Sequence, residues 1–305
     1  DAAKAVIDLG KYSLFPDYKE LFLDENKYNS EVIWQIPANN SVEAWEQKLE
    51  LACYPNGYSG HCLVNPLQNL VDDYEMLSGK LPKDDPNYNP QIPYVNRDPR
   101  FYASILYDGA MFIDRPTEFF LPNGLDSPQS PIQAWNASQT GYAVRKFLDE
   151  RVLPANTNVA PFVDSPWVVI RYAEILLNYA EAMYNLGDED ICRQYINMVR
   201  SRPSVMMPPI TESGQALLAK LQNERRIELV FEEHRYFDVR RWKIAPEVLN
   251  IPRKKMSIWK NSDTGIKTYT VEEFQPSIFH ERNYLAPIPQ SEIDKNPLLE
   301  QNPGY

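Results

Sequence analysis

The chain has 305 residues, 43% of them hydrophobic and 24% charged, a composition typical of a folded globular protein and not of a disordered one. Its formal net charge of −11 disfavours nucleic acid as a partner, because proteins that bind a phosphate backbone present a basic surface. The sequence has no apolar run of the about eighteen residues that a membrane-spanning helix needs.

The first ten residues, DAAKAVIDLG, have the alanine-rich pattern of a helix that ends at Gly10. They have neither the basic flank nor the apolar block of a signal peptide. We therefore expect the chain to begin inside a larger protein, with any export signal upstream of it or absent.

The first half of the chain, residues 1–160, is predicted to be loop-rich. The chain has 26 prolines against 11 glycines, and this half contains proline-rich stretches such as LPKDDPNYNPQIPYVNRDPR. Because proline fixes φ and cannot donate a backbone hydrogen bond, such stretches indicate rigid loops. The runs EVIWQIP, RFYASILYDG and YAVRKFL are rich in β-branched and aromatic residues and predict short strands between the loops.

No cofactor is predicted, since the chain has three histidines and neither a CxxC nor an HExxH motif. Cys53 and Cys62 lie in one predicted loop. They could form a disulfide in an oxidising compartment and would otherwise be free thiols. Cys192 falls on an apolar helix face and is predicted to be a buried thiol. The acidic runs LVDDYE and KDDPNYN are either calcium ligands or solvated loop carboxylates, and the sequence leaves both open.

Residues 161–245 are predicted to form a helical scaffold. Ser165 is a suitable N-cap and Pro166 a suitable first residue for a helix that runs to Gly187. A second helix follows and ends before Pro203, with its apolar residues on one face. The pair has about 35 residues, the size of one tetratricopeptide unit, and such units need neighbouring repeats to bury their faces.

The stretch NERRIELVFEEHRYFDVRRW, residues 223–242, contains five acidic residues and five arginines. It is predicted to lie in one helix from Ser213 to Trp242, where opposite charges three residues apart meet on one face. We predict a structural ion ladder made of Arg225, Glu228, Glu232, Arg235, Asp238 and Arg241.

The alternative for this stretch is catalysis by Glu232 or Glu233 together with Glu228. A glycosidase needs two carboxylates across an open cleft, one of them with a raised pKa. Arginines at three-residue spacing would instead hold these carboxylates ionised, which favours the structural interpretation.

Residues 246–305 are predicted to be a loop followed by a closing segment, YLAPIPQSEIDKNPLLEQNPGY. This segment would pack against the protein, with Ser291 capping a short turn and the prolines preventing fraying. The alternative is a proline-rich ligand for a partner protein.

Several stretches resemble signatures of the SusD/RagB family of outer-membrane nutrient-binding lipoproteins: RYAEILLNYAEAMYNLG, NERRIELVFEEHRYFDVRRW and YLAPIPQSEIDKNPLLEQNPGY. NRDPRFYASILYDG and EVIWQIP match the same family in the same order. The resemblance implies a mostly α fold, a SusD-like α/α superhelix in which a tetratricopeptide-like helical scaffold carries a large loop-rich region with short β-strands. Residues 1–160, 161–245 and 246–305 would together form one domain, similar to the C-terminal portion of a family member without its anchor cysteine and first repeats.

The resemblance also implies a function in binding, with no enzymatic activity. A family member is a surface-exposed lipoprotein of the outer membrane that delivers an oligosaccharide to a SusC-like TonB-dependent transporter. Its only attachment to the membrane would be a lipid anchor, which lies outside this chain.

Sugars stack on aromatic rings and need amides or charged groups for their hydroxyls. In the family, the ligand-facing loops lie between the EVIWQIP-type strand and the DPRF-type block. The candidate ligand residues are Trp45, Tyr54, Tyr58, Tyr74 and Asn56. Further loop aromatics are Tyr88, Tyr94, Trp135 and Tyr142, whereas Trp34, Trp167, Tyr172, Tyr179 and Trp242 are predicted to be core residues.

A second functional hypothesis is a tetratricopeptide-type adaptor that binds a peptide or a protein. Its contacts would lie on the polar stripe of the first scaffold helix, which consists of Arg171, Glu174, Asn178 and Glu181.

Overall fold

The computed structural model describes residues 1–37, 49–151, 165–296 and 298–305. Its helices are α1 (Ala2–Asp8), α2 (Leu49–Cys53), α3 (Gln68–Val71), α4 (Pro99–Ser104), α5 (Tyr172–Asn185), α6 (Glu189–Arg200), α7 (Gly214–Glu228), α8 (His234–Arg241), α9 (Ala245–Leu249) and α10 (Gln290–Lys295). Its strands are β1 (Val32–Ile36), β2 (Ile105–Leu106), β3 (Met111–Phe112), β4 (Arg115–Pro116), β5 (Ala143–Val144), β6 (Trp167–Arg171), β7 (Arg253–Lys260) and β8 (Lys267–Gln275).

The strands form two-stranded antiparallel ribbons, in which β1 pairs with β6, β2 with β5, β3 with β4 and β7 with β8. The prediction of a mostly α fold, with a tetratricopeptide-like helical scaffold and a loop-rich region that carries short strands, is confirmed.

Helices α5 and α6 form the predicted helical hairpin. Gly187 adopts a φ of +85°, which favours glycine and ends α5. The Asp188 carboxylate then accepts a hydrogen bond of 3.1 Å from the Ile191 N–H and caps α6. The hairpin and α7 share a core of buried side chains that includes Ala173, Leu176, Leu177, Ala180, Cys192, Ile196, Val199, Leu217 and Leu221.

The first scaffold helix begins later than predicted. Trp167–Arg171 form strand β6, which pairs with β1, and α5 starts at Tyr172 instead of near Pro166. Val168, Val169 and Ile170 are β-branched, so they lose side-chain freedom in a helix and suit a pleated strand. The partner strand, more than 130 residues earlier, decides the conformation of these residues.

The β1–β6 ribbon also corrects the prediction that Trp34 and Trp167 are core residues. Along each strand the side chains alternate between two faces, and Gln35 and Val168 occupy the buried one. Trp34 and Trp167 therefore lie on the outer face, where they are 55% and 38% exposed. Tyr172, just after the ribbon, is buried as predicted.

The helix predicted from Ser213 to Trp242 is interrupted. Helix α7 ends at Glu228 and α8 begins at His234. Phe231, between the two helices, and Glu233, the N-cap of α8, both adopt left-handed backbone conformations. Buried cations compete for the backbone carbonyls there: the Arg171 guanidinium donates to Glu228 O at 2.7 Å and the Lys146 ammonium to Val230 O at 3.0 Å. These bonds satisfy carbonyls that a continuous helix would have used.

The loop-rich region has its own aromatic core, built mainly from residues 53–148. The buried guanidinium of Arg97 fixes one long loop, because it donates to Pro93 O at 3.0 Å, to Tyr74 O at 2.9 Å and also to Val71 O. Such a side chain replaces the backbone partners that irregular segments lack. The loops are thus held in place with little regular secondary structure.

A buried ion network joins the two regions. It contains six cations and six carboxylates: Arg100, Lys146, Arg171, Arg200, Arg202 and Lys220, with Glu31, Glu75, Asp98, Glu224, Glu228 and Glu232. All except Lys220 are buried or nearly so, and the charges cancel. Burial of such groups is tolerated only when each charge is paired.

Glu228 lies at the centre of this network. Its carboxylate accepts hydrogen bonds from Arg171 at 2.7 Å, Arg202 at 2.8 Å and Arg100 at 3.0 Å. Arg171 and Arg202 also bind the buried Glu31 carboxylate, with shortest distances of 2.7 and 2.6 Å. The N-terminal segment is thereby fixed to the helical scaffold.

Two further branches of the network extend from this centre. Arg100 and Arg200 both bind Glu224, at 2.5 and 2.8 Å, and Arg200 continues to Glu75 at 2.8 Å. On the other side, the Lys146 ammonium donates to Glu232 at 2.6 Å. Helix α7, through Glu224, and the segment that follows it, through Glu232, are therefore both linked to the loop-rich region.

The ion ladder differs from its predicted geometry. Within the described part of the chain, Asp238–Arg241 is the one predicted three-residue pair that forms, at 2.8 Å. Arg225 instead reaches Asp238 across the interruption, at 2.8 Å, while Glu228 and Glu232 bind cations from other elements. The interruption between α7 and α8 causes this change, because it removes the helical spacing on which the prediction relied.

The C-terminal segment folds back on itself. The Asn302 side chain donates to Ala286 O at 2.7 Å, and the Gln301 amide exchanges two hydrogen bonds with the Ile288 backbone. Ser291 lies inside α10 and does not cap it.

None of the helices in the described part of the chain combines the length and apolar character that a bilayer crossing requires.

We expect Glu228→Ala to lower the free energy of unfolding by about 3–5 kcal/mol, because it leaves buried guanidinium groups without their counter-charge. Glu292→Ala, which removes an exposed ion pair with Lys295, is the matched control and should cost less than about 1 kcal/mol. Urea unfolding of both variants measures the difference. Equal effects would show that the network contributes no more than a surface ion pair.

The network also predicts acid sensitivity. Burial opposes ionisation of Glu228, but Arg202, Arg171 and Arg100 outweigh it and hold its pKa well below the ordinary 4.5. The unfolded chain therefore binds protons first as the pH falls below 4.5, so the stabilisation is present above that pH and is lost below it. Urea unfolding between pH 7 and pH 3 should show falling stability below pH 4.5, and a flat profile would contradict the assignment.

Candidate functional site

The described candidate ligand residues Tyr54, Tyr58, Tyr74 and Asn56 are buried. Their exposed fractions are 1%, 8%, 0% and 0%, so the expectation that they lie at the surface of the loops is wrong. A buried ring offers no free face on which a sugar can stack. Trp45, the remaining candidate, lies outside the described residues.

These residues instead stabilise the loops from inside the core, by hydrogen bonds to loop carbonyls and by packing. The Tyr58 hydroxyl donates to Phe112 O at 2.6 Å, and the Arg115 guanidinium lies 4.3 Å from the centre of its ring. The Tyr54 hydroxyl donates to Asp149 O at 2.7 Å. Burial raises the pKa of both phenols above the ordinary 10, so they remain neutral donors to loop carbonyls.

Among the other predicted loop aromatics, Tyr94 and Tyr142 are buried, Tyr88 is half-buried and Trp135 is exposed. Trp135 is 80% exposed and lies on a 3-10 turn, Ala134–Asn136. A large aromatic side chain with that exposure has both faces available to a ligand. It is the best candidate for sugar stacking in the described part of the chain.

The turn that carries Trp135 is held by amide side chains. Asn56, at the base of the loop, donates to Ile132 O at 2.8 Å. Gln133 adopts a left-handed φ of 42°, and its side-chain oxygen accepts from Asn136 Nδ2 at 3.0 Å. These bonds fix the backbone on both sides of the indole without using the indole itself.

A second loop braces the first. The Asn65 side chain accepts from Gln139 N–H at 2.8 Å and donates to Cys62 O at 2.6 Å. Loops 56–65 and 129–139 are thus joined at two points, through Asn56 and through Asn65. We name the exposed Trp135, together with the amide residues Gln133, Asn136, Asn65 and Gln139 of these two loops, the Trp135 platform.

The Trp135 platform has the chemistry of a saccharide site. The indole provides an apolar face for sugar C–H groups, and the neighbouring amides can donate to and accept from hydroxyls. A signal for it is present in the sequence, because SPQSPIQAWNASQT surrounds a tryptophan with four amide residues in a proline-bounded loop. The prediction gave priority to the preceding loops because of the family resemblance.

The ion network does not form an active site. Glu228, Glu224 and Glu232 are buried and their pKa values are lowered, since the arginines around them outweigh the effect of burial. An ionised carboxylate enclosed by guanidinium groups can neither donate a proton nor reach a substrate. The geometry is that of a structural network.

The polar stripe predicted for an adaptor is covered by its own chain. Arg171 is a buried member of the ion network, and Asn178 Oδ1 accepts from Arg225 at 2.6 Å. Glu181 binds Arg241 and accepts from the Trp242 indole N–H at 2.8 Å. The surface on which the adaptor hypothesis relied is therefore occupied by α7, α8 and the residue that follows α8.

Cys53, Cys62 and Cys192 are buried free thiols, so the structure favours the thiol alternative for the first two. Burial raises the pKa of Cys53 and Cys62 to about 12 and that of Cys192 to about 11, which keeps all three protonated. Among the described residues, no group of three or more histidine, cysteine, aspartate or glutamate side chains is arranged to hold a metal ion.

Comparison with known proteins gives a consistent set of relatives. A profile of the SusD family matches residues 30–305. SusD-like protein P2 of Formosa agariphila is 34% identical over 149 residues, which are 46% of this chain and 26% of that protein.

The fold is also found in solved structures. A SusD-like protein from Bacteroides fragilis superposes with a TM-score of 0.81 at 29% identity, over 100% of this chain and 60% of that one. A SusD-like carbohydrate-binding protein from the same species superposes with a TM-score of 0.79 at 30% identity, over 98% of this chain and 60% of that one. The chain thus spans about 60% of the length of these structures.

We expect Tyr58→Ala to destabilise the protein by about 3–5 kcal/mol, as for other large aromatic side chains removed from a core. Trp135→Ala should change the free energy of unfolding by less than about 0.5 kcal/mol, because the side chain is exposed. Chemical denaturation of the two variants makes the comparison. If Tyr58→Ala kept full stability and lost glycan binding, the original assignment of Tyr58 to the site would stand.

Proposed function

Because this chain belongs to the SusD family, we propose that it takes part in binding an oligosaccharide at the bacterial cell surface and in delivering it to a SusC-like TonB-dependent transporter. The observation that carries the binding role is Trp135, an 80% exposed indole on a loop braced by amide side chains. The Bacteroides fragilis relative described as carbohydrate binding supports the ligand class.

Binding would occur without covalent chemistry. The indole would stack against the face of one sugar ring, and the amides of Gln133, Asn136 and Gln139 would hydrogen-bond the hydroxyls of neighbouring sugars. Because the loop is already fixed, little conformational entropy is lost on binding. One stacking site of this size gives modest affinity, which allows release to a transporter.

The cellular role extends the family relationship to this chain. We infer a place at the outer membrane, held by a lipid anchor outside these residues, with the ligand-facing loops turned away from the bilayer. The buried ion network supports this role mechanically, because it fixes the loops to the helical scaffold that would face other parts of the assembly.

Trp135→Ala should weaken glycan binding by about 2 kcal/mol, the value typical of a central aromatic contact. The measurement is a glycan array with this chain, followed by calorimetry with each oligosaccharide that binds. Trp34→Ala is the matched control, because it removes another exposed tryptophan, on the β1–β6 ribbon.

Unchanged affinity in Trp135→Ala, with glycans that bind the parent chain, would exclude the platform as the site. Equal losses in Trp135→Ala and Trp34→Ala would also count against it, because they would indicate a general effect of removing surface indoles.

A further inference from the structure

A cavity of about 580 Å³ lies at the interruption between α7 and α8, away from the residues of the Trp135 platform. Its walls include Leu70, Arg226, Phe231, Arg235, Tyr236 and Phe237. We call it the arginine cleft. Tyr236 and Phe237 are 57% and 65% exposed, so the cleft presents aromatic surface to solvent.

One cation of the arginine cleft, Arg235, forms no direct ion pair in the described part of the chain. Arg225 is paired with Asp238, and Arg226 with Asp73. Within residues 1–37, 49–151, 165–296 and 298–305, no carboxylate lies within ion-pair distance of Arg235, although Asp73 and Asp238 attract it from farther away, and Glu233 in the same wall is exposed. Arg235 is half-buried, so its guanidinium is partly desolvated and has no carboxylate in direct contact.

Desolvation and repulsion act on this guanidinium together. Burial and the neighbouring Arg226 lower the pKa of Arg235 to about 10. The guanidinium therefore remains charged at neutral pH, although its surroundings disfavour the charge. An anion placed against it would relieve both effects. Arginine is suited to this role because its planar donors match a carboxylate in a bidentate arrangement.

A second cavity, of about 790 Å³, shares Arg226 with the arginine cleft. Its walls add Lys83, Arg253 and Lys254, with the half-buried ring of Tyr88. The two cavities together have six lysines and arginines against five carboxylates, Asp72, Asp73, Glu233, Asp238 and Glu247. In a chain of net charge −11, this is a local excess of positive charge.

The backbone at the arginine cleft is also unusual. Phe231 and Glu233 have φ values of 62° and 66°, a region that residues with a Cβ rarely adopt. Such conformations persist where the surrounding structure imposes them and are common at ligand sites. Here the Lys146 ammonium of the buried ion network binds Val230 O in the same loop, and Phe231 and Arg235 both line the cleft.

We propose that the arginine cleft binds a uronic acid unit of an acidic oligosaccharide, with Arg235 on the carboxylate and Phe237 against the sugar ring. The adjoining cavity would take the next units of the chain, with their carboxylates near Lys83 and Lys254. This inference rests on the proposed function in taking the ligand to be a saccharide. It concerns a different surface from the Trp135 platform, so the two can fail separately.

The test is calorimetry of this chain at low salt with tetrasaccharides of galacturonate, mannuronate and glucuronate, each compared with its methyl ester. We expect at least one free acid to bind and its ester, which has the same ring but no charge, to bind about 10- to 100-fold more weakly. Raising the salt concentration should weaken binding of the free acid more than binding of its ester.

Arg235→Met is the decisive variant, since it removes the charge and keeps an unbranched apolar side chain. It should lose about 10- to 100-fold in affinity for the acid. Because Arg235 has no ion pair to lose, its urea unfolding should match that of the parent chain. Arg282→Met, an exposed arginine of the C-terminal segment, is the control and should retain binding.

Three results would overturn the proposal. The first is that every free acid binds no better than its ester. The second is that Arg235→Met binds the acids as the parent chain does or, if that variant does not fold, that a folded Arg235→Gln does so. The third is that only a peptide with a free C-terminal carboxylate binds, and its amide does not, which would assign the cleft to peptides. Neutral glycans that still depend on Trp135 would in each case leave the proposed function intact.

Discussion

The buried carboxylate of Glu228 is the constraint on which the rest of the structure depends. It accepts hydrogen bonds from arginines in three parts of the chain: α4, the end of β6 and the segment after α6. Removing so many charges from water is costly, and an apolar cluster of equal volume would often be as stable. An ion network adds directionality, because the planar donors of a guanidinium can bind carboxylates in only a few arrangements. The network therefore defines how the loop-rich region sits on the helices.

The two regions solve the problem of backbone polar groups differently. The helical hairpin satisfies its own carbonyls and needs side chains mainly for packing. The loop-rich region has short ribbons and uses Tyr54, Tyr58, Asn56 and Arg97 as donors to loop carbonyls. These residues look like binding residues in the sequence because both tasks need an aromatic or amide group with a polar end. Their burial separates them from exposed loop residues such as Trp135, to which we assign the proposed ligand contact.

Local patterns predicted those elements whose interactions are local. The α5–α6 hairpin follows from the spacing of its apolar residues and from Gly187, so it could be predicted. Strand β6 could not, because the same residues fit a helix and only pairing with β1 decides between the two. The interruption after Glu228 was missed for a related reason. It depends on Lys146 and Arg171, which are close to it only in the folded chain. Likewise, no pattern distinguishes a tyrosine that binds a sugar from one that binds a carbonyl.

The long sequence separations in the ion network have a consequence for folding during synthesis. Glu31 meets Arg202 across 171 residues, and Lys146 meets Glu232 across 86. A growing chain cannot complete both pairs until residue 232 has emerged, so the charged groups made earlier, Glu31 and Lys146, stay hydrated in the meantime. Closing such distant contacts is slow compared with forming helices. We therefore expect the hairpin to form early and the attachment of the loop-rich region to it to form late in folding.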